Sequence, residues 1–207
     1  MLKLWGRTSS INVQKVLWTL TEIGLPFERV DAGLSFGGVN EPWYRAMNPN
    51  GRVPTIDDDG FVLWESNSIV RYLASKHGAG TLLPDNLQTR ADADRWMDWA
   101  TSTINPLMSP LFWGLIRTAP EKRNADELEK LRIKMEDLMG ILDAQLATRA
   151  FVAGDAFTMG DIPVGCFAQR WLALPIQHAE HPNLLRWLER LADRPGFLVH
   201  VKQIVLT

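Results

Sequence analysis

The stretch Val53-Pro54-Thr55-Ile56-Asp57-Asp58-Asp59-Gly60-Phe61-Val62-Leu63-Trp64-Glu65-Ser66-Asn67-Ser68-Ile69-Val70-Arg71-Tyr72-Leu73 carries three structural signals in succession. Val53-Pro54-Thr55-Ile56 and Phe61-Val62-Leu63 flank an Asp/Gly cluster, the pattern of two strands joined by a turn. Over 66–76, Ile69, Val70, Tyr72 and Leu73 fall on one face of a helix. Upstream, residues 2–5 alternate apolar and polar, a short strand signal. Val13, Val16, Leu17, Leu20 and Ile23 recur at helical spacing over 12–23, and Gly24 supplies the stop. Pro26 precedes a second alternating run, Phe27-Glu28-Arg29-Val30-Asp31. Residues 32–51 read as a loop with a short helix near 41–47.

Strand–helix–strand followed by hairpin–helix outlines a small mixed sheet with helices. The spacing therefore predicts a thioredoxin-like α/β domain over 1–77. His77-Gly78-Ala79-Gly80-Thr81 stops its last helix, and 78–87 reads as a linker. Nine of the fifteen glycines lie within residues 1–80, so the remainder is poor in turns. Helical patterns cover roughly 88–117, 121–148, 159–173 and 182–203, which makes 88–207 an all-helical domain and the chain a two-domain α+β protein. Pro106 and Pro110 should bend or break the first of these helices. Pro120 and Glu121 suit the start of the second. Thr158-Met159-Gly160-Asp161 has the form of a capping box, with Phe157 and Ile162 as its apolar staple.

The chain has 207 residues, of which 46% are hydrophobic and 22% charged, the balance of a folded globular protein. Lys plus Arg number 22 against 24 Asp plus Glu, so no basic footprint for nucleic acid or anionic lipid exists. The first residues are too short an apolar run for a signal peptide, and no window is apolar enough to span a membrane. One cysteine, Cys166, allows no internal disulfide and no Cys-cluster metal site, and a reducing cytoplasm is the simplest compartment. The four histidines form no metal-binding pattern, so no metal is expected.

Three motifs together resemble the cytosolic glutathione transferase family, in its serine-type bacterial form. They are the turn Thr8-Ser9-Ser10-Ile11-Asn12, the run Asn48-Pro49-Asn50-Gly51-Arg52-Val53-Pro54-Thr55-Ile56, and the strand-to-helix turn Leu63-Trp64-Glu65-Ser66-Asn67-Ser68. Their order, followed by an all-helical half with its capping box, extends the resemblance over essentially the whole chain. It implies glutathione as co-substrate, its conjugation to a small apolar electrophile, and a homodimer. It also implies that the Val53–Pro54 bond is cis, turning the Val53 amide and carbonyl toward the cysteinyl part of the peptide.

The residues suit those roles chemically. Ser66, read as an N-cap, would receive the γ-glutamyl carboxylate beside free amides, and Glu65 the ammonium. Arg52 would hold the glycyl carboxylate. Ser10, with Asn12, would stabilise the thiolate as a hydrogen-bond donor. Plain alternatives stand beside each: a helix start at Glu65-Ser66, a solvated Arg52, and a Ser10 that only caps the helix. Ser9 and Thr8 compete with Ser10 for the sulfur. The absence of cysteine at this turn and of an early tyrosine leaves the serine type. Trp5 and Trp18 are expected in the first core, and Trp96, Trp99, Trp171 and Trp187 between the halves. Trp113, with Phe112 and Met108, lies where the resemblance puts the electrophile pocket, or else packs in the core. Trp43 would shield the glutathione site or make a dimer contact. Two other functions use the same residues: glutathione-dependent peroxide or disulfide reduction, and a non-catalytic module for protein contacts.

Overall fold

Asp59-Gly60 is a two-residue hairpin loop with φ of 52° and 94°. Both values are positive, as a turn that matches the strands' right-handed twist requires. It joins β3 (Thr55–Asp58) to β4 (Phe61–Trp64), with Ile56 opposite Leu63. β1 (Leu2–Trp5) runs antiparallel to β3 and parallel to β2 (Phe27–Val30), giving the strand order β2-β1-β3-β4. The parallel pair needs a crossover, supplied by α1 (Ile11–Glu22). Gly24, at φ 64°, closes α1: its N–H reaches Thr21 and that of Leu25 reaches Leu20, the paired bonds of a left-handed helix stop. α2 (Pro42–Met47) lies in the long loop, and α3 (Ser66–His77) packs beside α1. Leu4, Val16, Leu20, Ile56, Ile69 and Leu73 fill the space between helices and sheet. This is a thioredoxin-like layer, in a computed structural model that describes residues 1–207.

The rest is helical: α4 (Leu87–Trp99), α5 (Asn105–Phe112), α6 (Ala125–Leu146), α7 (Asp161–Ala173), α8 (Pro182–Ala192) and the single turn α9 (Pro195–Phe197). Several sequence expectations shift here. The prolines do not break the first long helix. Instead it widens into π-type turns at Ala100–Ile104 and Trp113–Arg117, either side of α5. A proline ring collides with the carbonyl four residues back, and the wide turn before Pro106 makes room for it. α6 begins at Ala125, not at 121, because the Asn124 side chain accepts from the Glu127 N–H and caps it, while Pro120–Lys122 forms a separate short turn. The run over 182–203 stops at α8 and restarts at Pro195, since a residue before proline is steered out of the helical region.

Asp161 carries out the capping-box task and more. Its carboxylate accepts from the Thr158 N–H at 2.9 Å, the Val152 N–H at 3.0 Å and the Trp187 indole at 3.1 Å. The Thr158 hydroxyl accepts from Gly160, not from Asp161. Trp18 is buried, as expected, but in the larger core: it stacks on Phe157 at 5.6 Å and packs against Phe197 at 5.0 Å. Its indole donates to Glu22, which also holds Arg194 at 2.7 Å. α1 thus packs on α3 in its own layer and on α7 and α9 of the helical half. Trp96, Trp171 and Trp187 belong to that core, with Trp99 against it, whereas Trp5 is half-buried.

Candidate active site

Two cavities of about 490 and 430 Å³ open where the sheet layer meets the helices. Asn12, Arg52, Val53 and Asn105 line both, so the cavities are neighbours with a common wall. The smaller is almost wholly polar and contains Glu65, Ser66 and Pro54. The larger contains Ser9, Ser10, Met108, Phe112 and Trp113.

The β4-to-α3 turn sets the floor of the polar cavity. Glu65 adopts φ 71°, the left-handed region, and occupies the cap position of α3. Ser66 is therefore the first helical residue, one step later than the N-cap expected from sequence. The reason is the backbone reversal, which falls on Glu65 although no glycine marks it. No side chain or backbone group of the chain bonds the Glu65 carboxylate, which is exposed to the cavity. The Val53–Pro54 bond is cis. Neither the Val53 N–H nor its carbonyl makes a hydrogen bond within the chain, although both neighbouring segments do. A backbone donor and acceptor left free beside a cavity are ready to pair with an extended peptide. The loop behind them is fixed by Tyr44, whose hydroxyl donates to the Arg52 carbonyl at 2.8 Å, and by Asn48, which donates to the same oxygen at 2.8 Å. Arg52 is exposed and its guanidinium is unpaired.

At the common wall the N-terminus of α1 arrives. Ser10 is its cap by position, yet its side chain makes no capping bond. The residue is 8% exposed, and its hydroxyl has no partner in the chain. Ser9 lines the same cavity, and Thr8 lines neither. Asn12 accepts from Lys15 Nζ at 3.0 Å and from Ser66 Oγ at 3.3 Å through one oxygen, Oδ1. An ammonium only donates, so the oxygen must face Lys15, which leaves the Asn12 amide N–H groups free beside the cavities. The unbonded first amides of α1 add positive potential here. Lys15 is buried over the Phe167 ring at 4.9 Å, and burial pushes its pKa down to about 8.

Sequence reasoning did not place Lys15, Asn105, Arg7, Arg117 or Arg170 at the site. Lys15 was findable as the residue one helical turn beyond Asn12. The others arrive through packing of the helical half. Arg170 is half-buried, its guanidinium over the Phe112 ring at 4.5 Å, and desolvation lowers its pKa to about 10. Trp113 is half-exposed as a cavity wall and not a core residue, and Trp43 lines neither cavity. Cys166 is buried among apolar groups, which pushes its thiol up to about 12 and keeps it un-ionised. No group of three or more His, Cys, Asp or Glu is arranged to hold a metal, and no helix is long and apolar enough to cross a membrane.

Comparison with known proteins identifies the family of the chain. The family model described as "Glutathione S-transferase, N-terminal domain" matches residues 1–75, and that described as "Glutathione S-transferase, C-terminal domain" matches 104–195. The chain is similar to glutathione S-transferase GstB of Escherichia coli, at 40% identity covering 100% of this chain and 98% of that protein. It is similar to glutathione S-transferase 3 of Zea mays, at 34% identity covering 99% and 95%. Among solved structures, the theta class glutathione S-transferase of Xanthomonas axonopodis pv. citri, with glutathione bound, superposes with a TM-score of 0.95 at 42% identity, covering 100% of this chain and 99% of that one.

Proposed function

This chain belongs to the glutathione S-transferase family, and from that premise we propose how its two cavities divide the reaction. Glutathione lies in the polar cavity. Glu65 receives its ammonium, Ser66 and the start of α3 its γ-glutamyl carboxylate, Val53 its cysteinyl backbone, and Arg52 its glycyl carboxylate. The sulfur then reaches the common wall. There the Ser10 hydroxyl and the Asn12 amide donate to it, and Lys15 and the end of α1 favour its negative charge. The electrophile enters from the larger cavity, and holding it against a preformed thiolate supplies much of the rate. Ser10 only donates and forms no bond to the substrate.

The observation that carries this reading is the shared wall: Asn12 and Val53, each with an unpaired donor, line both cavities, and Ser10, with a free hydroxyl, lines the larger one. Calorimetric titration with glutathione, followed by turnover of a neutral aryl halide, tests it. Binding with turnover supports conjugation. Turnover of peroxides or disulfides alone would favour reduction by the same thiolate, and binding without any turnover a non-catalytic module. The reading includes a homodimer in the cytoplasm, supported by family membership and by the single buried cysteine.

A further inference from the structure

We propose that the second substrate is an organic anion, a small electrophile whose carboxylate is bound in the larger cavity by Arg7 and Arg117 with Arg170 behind them. The inference rests on the transferase reading above and names the substrate class of its second cavity. Four arginines line that cavity, the fourth being Arg52, and no aspartate or glutamate does. None of the four pairs with an acidic side chain anywhere in the chain. Of the eleven arginines elsewhere, six pair with a carboxylate, among them Arg71 with Asp94, Arg149 with Asp92 and Arg194 with Glu22.

Arg7 stands out within the group. Its guanidinium makes no hydrogen bond to the protein, and its Nε is shut off from solvent without a partner. A buried charged donor left unpaired is costly unless a ligand completes it. Arg117 donates through Nε and Nη2 to a main-chain oxygen of Thr207, the last residue of the sequence, at 3.0 and 2.8 Å, leaving Nη1 without a partner, and Arg170 donates to the Ser9 carbonyl at 3.3 Å. Both guanidinium planes rest on aromatic faces, Arg117 on Trp113 at 4.4 Å and Arg170 on Phe112 at 4.5 Å. Stacking of this kind fixes the fork that a carboxylate accepts from. The three also sense one another: burial and then Arg117 lower the pKa of Arg7, and burial, Arg117 and Arg7 lower that of Arg170. The chain as a whole is slightly acidic at −2, so this concentration of positive charge is local and draws anions to one opening.

The chemistry balances without any further reactant. The thiol proton leaves to solvent, the sulfur attacks the carbon bearing a halide, the C–S bond forms, and the C–halogen bond breaks with its electron pair on the halide. The carboxylate is held throughout and does not react.

Iodoacetate and iodoacetamide differ chiefly in charge and serve as probes. At saturating glutathione, kcat/KM for each is divided by the rate of the same reagent with free glutathione at that pH. The proposal predicts an acid-over-amide ratio above about ten in the native chain, the effect of charge-assisted bonds. The ratio falls about tenfold in Arg7→Ala and in Arg117→Ala, and in the native chain it also falls with added salt. Because it is a ratio within each variant, partial loss of folded protein does not alter it. A native ratio near one, or one unchanged in both variants, overturns the proposal, as does Arg7→Ala weakening glutathione binding alone. Turnover of neutral reagents without acid preference overturns this inference and leaves the transferase reading intact. No turnover of any reagent overturns both.

Discussion

Glu65 pairs a left-handed backbone at φ 71° with a carboxylate that no group in the chain satisfies. A strained residue kept beside a cavity points to function. Glu65→Ala removes the proposed ammonium contact and should raise the dissociation constant for glutathione tenfold to about a hundredfold, the range of a charge-assisted bond. Calorimetry on the folded variant checks this, and unchanged affinity contradicts it. Glu65, Ser66, Arg52 and Val53 were legible because they sit in one contiguous run. Ser66 was placed one step off, since a positive φ at a glutamate leaves no mark in composition. Arg7, Arg117 and Arg170 were not legible as a group, because 163 positions of sequence separate residues that only the packing of the helical half against the sheet layer brings to one cavity.

At the scale of elements, the strands, α1 and α3 followed directly from two-residue and helical periodicity, whereas the helical half misled at its ends. There the prolines, expected to bend or break the helix, leave it unbroken, with π-type turns on either side of α5. Asp161 shows how a capping motif becomes tertiary: it joins the start of α7 to Val152 and to Trp187 of α8. Asp161→Ala strands these buried donors and should cost about 3 kcal/mol or more in urea unfolding. A loss below about 1 kcal/mol would refute that role. Lys15 within α1 gives a pH signature. Its folded pKa, about 8, lies below the ordinary 10.5 because of burial. The unfolded chain therefore holds more protons than the folded one over that window, and stability rises with pH across it. Lys15→Met removes this dependence. Any stability advantage of the variant should be largest below pH about 8 and shrink as pH rises toward 10.5. A difference that stays constant with pH contradicts it.

The whole molecule is organised around α1, which packs on α3 of its own layer and on α7 and α9 of the helical half. Trp18 on its inner face makes that junction with Phe157 and Phe197. Trp18→Ala should cost about 3–5 kcal/mol, and the native chain should unfold in one transition seen alike by tryptophan fluorescence and far-ultraviolet dichroism. Two separated transitions would show that the halves do not depend on this contact. The same helix presents Ser10 and Asn12 at its other end, so the junction that stabilises the molecule also sets the site. The central claim is that a bound thiol is ionised there. Ultraviolet absorbance of the thiolate against pH, for glutathione bound to the native chain and to Ser10→Ala and Asn12→Ala, tests it most directly. The account predicts a bound pKa below the free value of ~8.5, a rise toward that value in Ser10→Ala, a smaller rise in Asn12→Ala, and glutathione affinity nearly intact in Ser10→Ala. A bound pKa equal to the free one in the native chain, or one unmoved by both substitutions, contradicts it.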